Sequence, residues 1–215
     1  MLSGVHAVKH AVRFGASLES LVSADPAVAL AVMASVAPDV TISVERVPEA
    51  EIVRLAGAPV ELVGLARRPA AVPAGPGPAV LLDNPRHLGN LGAVIRVAAG
   101  FGARAVLSTG TVDPWHPTVV RAAAGLHYAV PVRRITELPD GVLAFDADGA
   151  DLRGVEIPSD AVLAFGSERH GLSDAVRSRA ARTIAIPIRD RISSYNLATS
   201  VAVALYAWSA GAGAR

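Results

Sequence analysis

The chain has 215 residues, of which 52% are hydrophobic and 18% are charged, and its formal net charge is +1. Such a composition supplies enough apolar side chains for a sizeable core and excludes intrinsic disorder. Charged residues or prolines interrupt every apolar run before it reaches the ~18 residues of a membrane-spanning helix, and residues 1–13 lack the pattern of a signal peptide. The chain contains no cysteine, which excludes disulfides and thiolate catalysis, so we expect a cytoplasmic protein with no membrane partner.

Helix and strand patterns alternate through the first part of the chain. They predict helices over residues 4–12, 26–36 and 48–55, and strands over residues 18–22, 40–44 and 60–66. We interpret these elements as one small α/β unit over residues 1–67. Residues 1–80 contain seven acidic and six basic side chains, so this unit is not strongly basic as a whole.

A break follows this unit. Four prolines and two glycines fall within residues 67–78, and proline supplies no backbone N–H for a helix or a strand ladder. We therefore predict a linker over residues 68–78 and a second domain over residues 79–215.

Short apolar strands alternate with helices in the second domain. Strands are predicted over residues 79–83, 105–107, 142–145, 162–165 and 183–186, and helices over residues 91–101, 117–126, 174–180 and 196–209. Apolar strands separated by helices indicate a mostly parallel sheet that is covered on both faces. Ligands of such sheets bind beyond the carboxyl ends of the strands. The candidate functional loops are therefore those that follow Leu82, Leu107, Phe165 and Ile186.

The loop after the first of these strands carries an amide and an arginine across the start of a helix. Asn90 and Arg96 are six residues apart, and Gly89 and Gly92 permit close approach of the backbone. A structural interpretation is also open, in which Asn90 caps the helix and Arg96 is a solvated helical position.

A second loop has the sequence Gly-Ser-Glu-Arg-His-Gly-Leu over residues 166–172, directly after a predicted strand. Glu168 is the acidic residue of this loop, and Gly166 and Gly171 flank it. The alternative role for Glu168 is a favourable interaction with the N-terminus of the helix that follows.

The third loop lies between the last strand and the last helix. It starts at Ile186 and Pro187 and ends at Ser194, Tyr195 and Asn196. Ser194 or Asn196 could simply cap the last helix.

Taken in order, these three motifs resemble those of the SpoU (TrmH-like) branch of the SPOUT RNA methyltransferases, over about residues 79–210. The resemblance implies an α/β fold with a mostly parallel sheet and a deep trefoil knot, preceded by a small α/β ribosomal-protein-like domain that binds the RNA substrate. It also implies S-adenosylmethionine as cofactor, a homodimer and no metal. The sequence departs from the family at Tyr195, where leucine is usual, and at His87 and Leu88, where Asp-Pro is common.

The resemblance carries roles to individual positions. Asn90, Arg96, Glu168, Ser194 and Asn196 match the catalytic positions, and Leu107, Ser108, Thr109, Gly166, Gly171, Ile186 and Tyr195 are the expected cofactor residues. A guanidinium has a pKa above ~12 and is a poor base in water. We therefore expect Arg96 to hold the phosphate and orient the ribose hydroxyl, with deprotonation as a second role. Glu168 would orient Arg96 or its own loop through a charge-assisted hydrogen bond.

Residues 4–8 and the strand over residues 60–66 resemble the ribosomal-protein-like module that precedes many such catalytic domains. This makes 23S ribosomal RNA the expected substrate, with contacts from Arg67, Arg68, Arg86, Arg121 and the arginines of residues 177–191. A tRNA 2'-O-methyltransferase, a non-catalytic RNA-binding or ribosome-assembly protein, and a small-molecule α/β enzyme remain as alternatives. The histidines at positions 87, 116, 127 and 170 form no metal-ligand spacing.

Overall fold

The computed structural model describes residues 1–212 of the chain. Residues 213–215, at the end of the predicted second domain, lie outside the described residues. The described part contains two β-sheets, one of four strands and one of six. No helix within residues 1–212 is long and apolar enough to cross a lipid bilayer.

The N-terminal sheet and its helices are built from residues 2–66. In chain order the elements are β1 (Leu2–Ser3), α1 (Val5–Arg13), β2 (Leu18–Ser23), α2 (Pro26–Val36), β3 (Glu45–Arg46), α3 (Glu49–Ala56) and β4 (Val63–Ala66). The strand order is β1-β4-β2-β3, and β4 runs antiparallel to both of its neighbours. Helix α2 begins after Asp25 because this carboxylate accepts hydrogen bonds from the N–H groups of Ala27 and Val28.

The C-terminal sheet is the larger of the two. Its elements are β5 (Ala79–Leu82), α4 (Leu88–Gly100), β6 (Val106–Ser108), α5 (Pro117–Ala122), β7 (Val132–Arg134), β8 (Val142–Asp151), β9 (Val162–Phe165), α6 (Asp174–Arg177), β10 (Ala180–Ala185) and α7 (Leu197–Ala212). The strand order is β10-β8-β9-β5-β6-β7, and all five strand pairs are parallel. The predicted α/β fold with a mostly parallel sheet is therefore confirmed.

Helices cover the C-terminal sheet because strand β5 is apolar on both faces. All four residues of β5 are buried, which is typical of a central parallel strand. Helix α4 buries Leu91, Val94, Ile95 and Ala98 at helical spacing. It also crosses α5 closely at Gly92, where a Cβ atom would lie 2.5 Å from the Cβ of Ala122.

The N-terminal elements pack directly on α5 and on the segment that follows it. Val120 and Tyr128 are buried in the same apolar core as the first helix and strands, and the Tyr128 hydroxyl donates a hydrogen bond to the carbonyl of Arg67 (3.0 Å). Gly125 has a φ of 74°, and a Cβ there would lie 2.2 Å from the carbonyl oxygen of Ala7. The division into domains at residues 67–78 stays a prediction.

One strand prediction was wrong, and strands β1 and β7 were missed. Residues 40–44 form no strand, and β3 contains only Glu45 and Arg46, which pair with Val22 and Ser23. The alternating apolar residues of this segment instead bury every second side chain against the N-terminal core without a ladder. Strand β7 was missed because two of its three residues are exposed arginines, so it carries no apolar run.

Several element ends also differ from the predictions. The helix predicted over residues 117–126 ends at Ala122, because Ala124 and Gly125 both have positive φ angles. The helix predicted over residues 174–180 ends at Arg177, because Ala180 already pairs with Val142 in the sheet. Strand β8 continues beyond the predicted end at residue 145.

Candidate active site

A cavity of about 760 Å³ lies at the carboxyl ends of β9 and β10 and beside residues 145–147 within β8. Its lining includes residues from all three predicted motif loops, namely His87, Asn90, Gly166, Ser167, Glu168, Arg169, Gly171, Ile186, Pro187, Ile188, Ser193, Ser194, Tyr195 and Asn196. The location agrees with the rule that ligands of parallel sheets bind at the carboxyl ends of the strands. The folded chain thus brings the three sequence motifs to one cavity.

One lining segment was not predicted. Phe145, Asp146 and Ala147 of strand β8 also line the cavity, and the ring of Phe145 stacks on that of Phe165 with centroids 4.6 Å apart. The carboxylate of Asp146 is paired with the guanidinium of Arg177. The rule that selected the other loops would have found this one, since residues 142–145 were already predicted as a strand.

The loop over residues 166–172 is a tight hairpin. The backbone N–H groups of Ser167 and Gly171 each donate to the other residue's carbonyl at 3.0 Å. A Cβ at Gly166 would lie 2.0 Å from the carbonyl carbon of Gly171, and Gly171 itself has a φ of 66°. Glycine is therefore required at Gly166 by close backbone approach and favoured at Gly171 by its dihedral angle.

Three side chains from the three motifs form a chain of hydrogen bonds. The Nδ2 of Asn90 donates to Oε1 of Glu168 (2.7 Å), and the Nδ2 of Asn196 donates to Oδ1 of Asn90 (3.1 Å). The second carboxylate oxygen of Glu168, Oε2, is buried and accepts no hydrogen bond within residues 1–212. These two hydrogen bonds link helix α4, the hairpin and the start of α7.

The capping interpretations can be decided for each motif. Asn90 does not cap α4, because it is the third residue of that helix. Glu168 does not cap α6, whose N-terminus is satisfied by the hydroxyl of Ser173. Asn196 does cap α7, because its Oδ1 accepts from the N–H of Ala198 (2.9 Å), and the same side chain also reaches Asn90.

The last loop holds Ser194 and Tyr195 at the cavity wall, where both residues are exposed. The hydroxyl of Tyr195 donates to the carbonyl of Pro187 (3.1 Å) and so closes the loop across eight residues. Ile186 is half-buried beside it.

Three of the expected cofactor residues lie outside the cavity. Leu107, Ser108 and Thr109 end strand β6, which is separated from β9 by β5 in the sheet. Thr109 instead donates its hydroxyl to Asp83 (3.0 Å). The other oxygen of Asp83 accepts from the N–H of Ser173 (2.7 Å), so this group supports the loops rather than lining the cavity.

Arg96 is exposed and also lies outside the cavity. Six residues along a helix correspond to about 9 Å of rise and a rotation of about 240°, so Arg96 projects from a different face of α4 than Asn90. The predicted pairing of Glu168 with Arg96 is therefore not found, and Glu168 binds Asn90 instead.

The predicted RNA-binding arginines are all exposed. Arg67 pairs with Glu19 (2.7 Å), whereas Arg68 pairs with Asp113 (3.1 Å) and lies over the ring of Trp115. Arg86 precedes His87, which lines the cavity. Arg121 lies in the last turn of α5.

The histidines of the described residues lie apart from clusters of carboxylates and of other histidines. No three histidine or carboxylate side chains converge within the described residues. His127 is fully buried, and this burial lowers its pKa to about 4 despite a hydrogen bond of 2.7 Å to the carbonyl of Pro114. Burial thus favours the neutral form of this imidazole.

The parallel sheet and the cavity beyond its strands together define an α/β protein that binds its ligand in the loops after the strands. The chain belongs to the SpoU rRNA Methylase family, because the family's model matches residues 77–206.

Named relatives agree with this family. The 23S rRNA (uridine(2479)-2'-O)-methyltransferase of Streptomyces viridochromogenes is 31% identical over 144 residues, which cover 59% of this chain and 50% of that protein. The 23S rRNA (guanosine(2553)-2'-O)-methyltransferase of Bacillus subtilis is 31% identical over 139 residues, which cover 59% and 56% of the two chains. The chain thus spans about half the length of these curated relatives.

Solved structures resemble the whole described fold. The SpoU methyltransferase AviRb of Streptomyces viridochromogenes, in complex with AdoMet, has a TM-score of 0.78 at 25% identity and covers 96% of this chain and 88% of its own. The AdoMet-bound rRNA methyltransferase of Sinorhizobium meliloti has a TM-score of 0.75 at 26% identity, with 96% and 85% covered.

Proposed function

We propose that the protein transfers a methyl group from S-adenosylmethionine to a ribose 2'-hydroxyl of structured RNA, and that the RNA is 23S ribosomal RNA. The observation that carries this proposal is the hydrogen-bonded chain from Glu168 through Asn90 to Asn196 at the wall of the cavity. Two relatives are named as 23S ribosomal RNA 2'-O-methyltransferases, which supports the reaction and the substrate. A ribosomal RNA substrate also supports a cytoplasmic location.

The residues of the cavity fit S-adenosylmethionine. A volume of about 760 Å³ lies in the range of ~300–1,000 Å³ typical of small-molecule and cofactor sites. Glu168 leaves a buried carboxylate oxygen without a donor, and buried acceptors of this kind are normally satisfied. Gly166, Gly171, Ile186 and Tyr195 would hold the cofactor. When bound, it supplies a methyl group already activated by a sulfonium charge.

The amides and the serine would bind the acceptor ribose. The carboxamide of Asn90 can form four hydrogen bonds, of which two are made to Glu168 and Asn196. Its second N–H and second lone pair are therefore available to a ribose hydroxyl or a phosphate. Ser194 lines the same cavity and would complete its floor. Glu168 acts by holding Asn90 in one orientation.

Arg96 would hold an RNA phosphate and orient the 2'-hydroxyl for attack. Because Arg96 lies outside the cavity of its own chain, we propose a homodimer in which it serves the cavity of the second copy. Tyr206 is 65% exposed on α7, and an exposed aromatic ring on an apolar helix supports an interface there.

Mixed dimers test this arrangement. Arg96→Ala and Asn90→Ala homodimers would each be inactive. Co-refolded mixtures would regain about one quarter of the wild-type activity, because half of the dimers contain one intact site. No recovery in a mixture that forms heterodimers would contradict the proposed arrangement.

The proposal also includes a knot in the C-terminal part of the chain and a separate role for the N-terminal part. We propose that the segment after β10 is threaded as a trefoil knot; the packing of α7 against α4 and the segment after β8 is compatible with it. We also propose that residues 1–67 form a substrate-binding domain that recognises folded ribosomal RNA.

The direct test is transfer of labelled methyl from S-adenosylmethionine to unmodified ribosomal RNA and tRNA, followed by nuclease digestion and identification of the nucleoside. We expect a 2'-O-methylnucleoside from 23S ribosomal RNA. Arg96→Ala should abolish transfer and leave cofactor affinity nearly unchanged, whereas Arg54→Ala, on the exposed surface of α3, should retain both. A product from tRNA would instead assign a tRNA enzyme, and absent cofactor binding would indicate a non-catalytic RNA-binding protein.

A further inference from the structure

One face of helix α1 carries a basic stripe, which consists of His6, Lys9, His10 and Arg13. These positions are separated by three, four and seven residues and therefore lie on one side of the helix. His6 and Arg13 are exposed, and Lys9 and His10 are half-buried. The helix contains no acidic residue, although residues 1–80 carry more acids than bases. Lys9 and Arg13 thus place the formal positive charge of α1 on this face, with the two histidines between and beside them.

The opposite face of α1 explains why this stripe is held in place. Val5, Ala7, Val8 and Ala11 are buried in the N-terminal core. A hydrogen bond fixes the ring of His10, because its Nδ1 donates to the carbonyl of Ala124 at 2.8 Å. The basic stripe is therefore a rigid surface, which keeps the entropic cost of binding low.

The basic stripe continues towards Arg96 on α4. The pKa of His10 is lowered mainly by partial burial, and the positive charges of Lys9, Arg13 and Arg96 act on it in the same direction. Helix α1 and helix α4 both contact the short segment after Gly125. The basic stripe on α1 therefore lies close to Arg96 of the first motif.

Few acidic groups neutralise this surface. Arg13 pairs with Asp39, whereas neither Lys9 nor Arg96 forms an ion pair within residues 1–212. The ring of Phe14, which directly follows Arg13, is 52% exposed at the end of the stripe. Cores of protein interfaces are depleted in lysine, whereas positive side chains beside an exposed aromatic ring are the combination that binds single-stranded nucleic acid, so this surface matches RNA better than a protein.

We propose that the basic stripe of α1 binds RNA phosphates close to the target nucleotide and guides the RNA strand to Arg96. This inference rests on the proposed function and names the RNA-contacting face of the N-terminal elements. Lys9 supplies an unpaired charge, His6 supplies a ring N–H, and Arg96 continues the row on α4.

The test measures binding of a 23S ribosomal RNA transcript by fluorescence anisotropy at several salt concentrations, with methyl transfer measured in parallel. Lys9→Ala should weaken binding about three- to tenfold at low salt and reduce the slope of log K against log salt by about 0.7 to 0.9, the effect of one phosphate contact. The KM for RNA should rise with little change in kcat or cofactor affinity. Lys9→Arg should bind the RNA as tightly as the wild type. The double variant His6→Ala, Lys9→Ala should bind it more weakly than Lys9→Ala alone.

Arg46→Ala is the control, because Arg46 is an exposed cation of β3 in the N-terminal sheet and is outside the stripe. It should leave the salt slope unchanged. An unchanged affinity and slope for Lys9→Ala, in a preparation that methylates RNA, would overturn the role of the stripe alone. A shift of the dimer equilibrium without a change in RNA affinity would also overturn it. Lys9-dependent RNA binding without any methyl transfer would uphold the stripe and overturn the proposed reaction.

Discussion

Asn90 donates a hydrogen bond of 2.7 Å to Glu168, although the two residues are 78 positions apart in the chain. This bond joins the first turn of α4 to the hairpin after β9, and Asn196 extends it to the start of α7. The carboxylate of Glu168 can therefore set the direction in which the carboxamide of Asn90 presents its free N–H to a substrate.

Replacing this carboxylate should affect catalysis more than cofactor binding. Glu168→Gln keeps the size of the side chain but removes its charge, and a charge-assisted hydrogen bond contributes about 1.5–3 kcal/mol. We expect kcat for methyl transfer to fall about tenfold or more, with cofactor affinity changed much less. Glu137→Gln, at an exposed position after β7, is the control. Equal losses of kcat and cofactor affinity would show that Glu168 shapes the cofactor site instead.

The residues of this network were predictable because their types and order along the chain form motifs that occur together. Sheet order was not predictable in the same way. Leu107 and Thr109 lie at the end of β6, and Gly166 lies at the end of β9, so the sequence pattern treats both ends as equivalent. In the sheet β5 lies between β6 and β9, and the order of strands along the chain does not reveal this arrangement. Phe145 shows the converse, since the sequence predicts a strand that ends there, although that end was not considered for the site.

The close backbone approach at Gly166, in the hairpin after β9, leads to a second prediction. Gly166→Ala places a Cβ 2.0 Å from one backbone atom and 2.3 Å from another, and backbone atoms cannot move aside without opening the hairpin. We expect a loss of about 2 kcal/mol or more in the free energy of unfolding and weaker cofactor binding, measured by thermal unfolding and calorimetry. Gly154→Ala is the control, because a Cβ there meets no atom within 4 Å. Comparable melting temperatures for the two variants would contradict this account of Gly166.

The buried imidazole of His127 predicts a pH dependence of stability. Its pKa is about 4 in the folded protein but about 6.5 in an unfolded chain. Between these values the unfolded state binds more protons, so the free energy of unfolding decreases as the pH is lowered. We expect a decrease of about 2 kcal/mol from this group between pH 7.5 and pH 5, measured by urea unfolding.

Variants separate this contribution from those of other groups. His127→Gln retains a donor for the carbonyl of Pro114 but does not titrate, so its stability should be lower at pH 7.5 and less dependent on pH. His170→Gln, at an exposed position, should retain the wild-type slope. The same slope in His127→Gln as in the wild type would assign the pH dependence to other residues.

Tyr195 supports the last prediction, because its hydroxyl closes the loop that carries Ser194 and Asn196. The hydrogen bond to Pro187 spans 3.1 Å and lies at an exposed site, so its removal should cost only about 0.5–1.5 kcal/mol. In Tyr195→Phe we expect faster amide exchange over residues 188–195 and a cofactor KM about two- to fivefold higher, with kcat nearly unchanged. Tyr195→Leu, which introduces the usual residue of the family, should behave like the phenylalanine variant in exchange. Arg54→Ala, on the exposed surface of α3, should alter neither quantity. If Tyr195→Phe binds the cofactor as tightly as the wild type while exchange increases, the loop is ordered by the cofactor itself and the hydroxyl only stabilises the free protein.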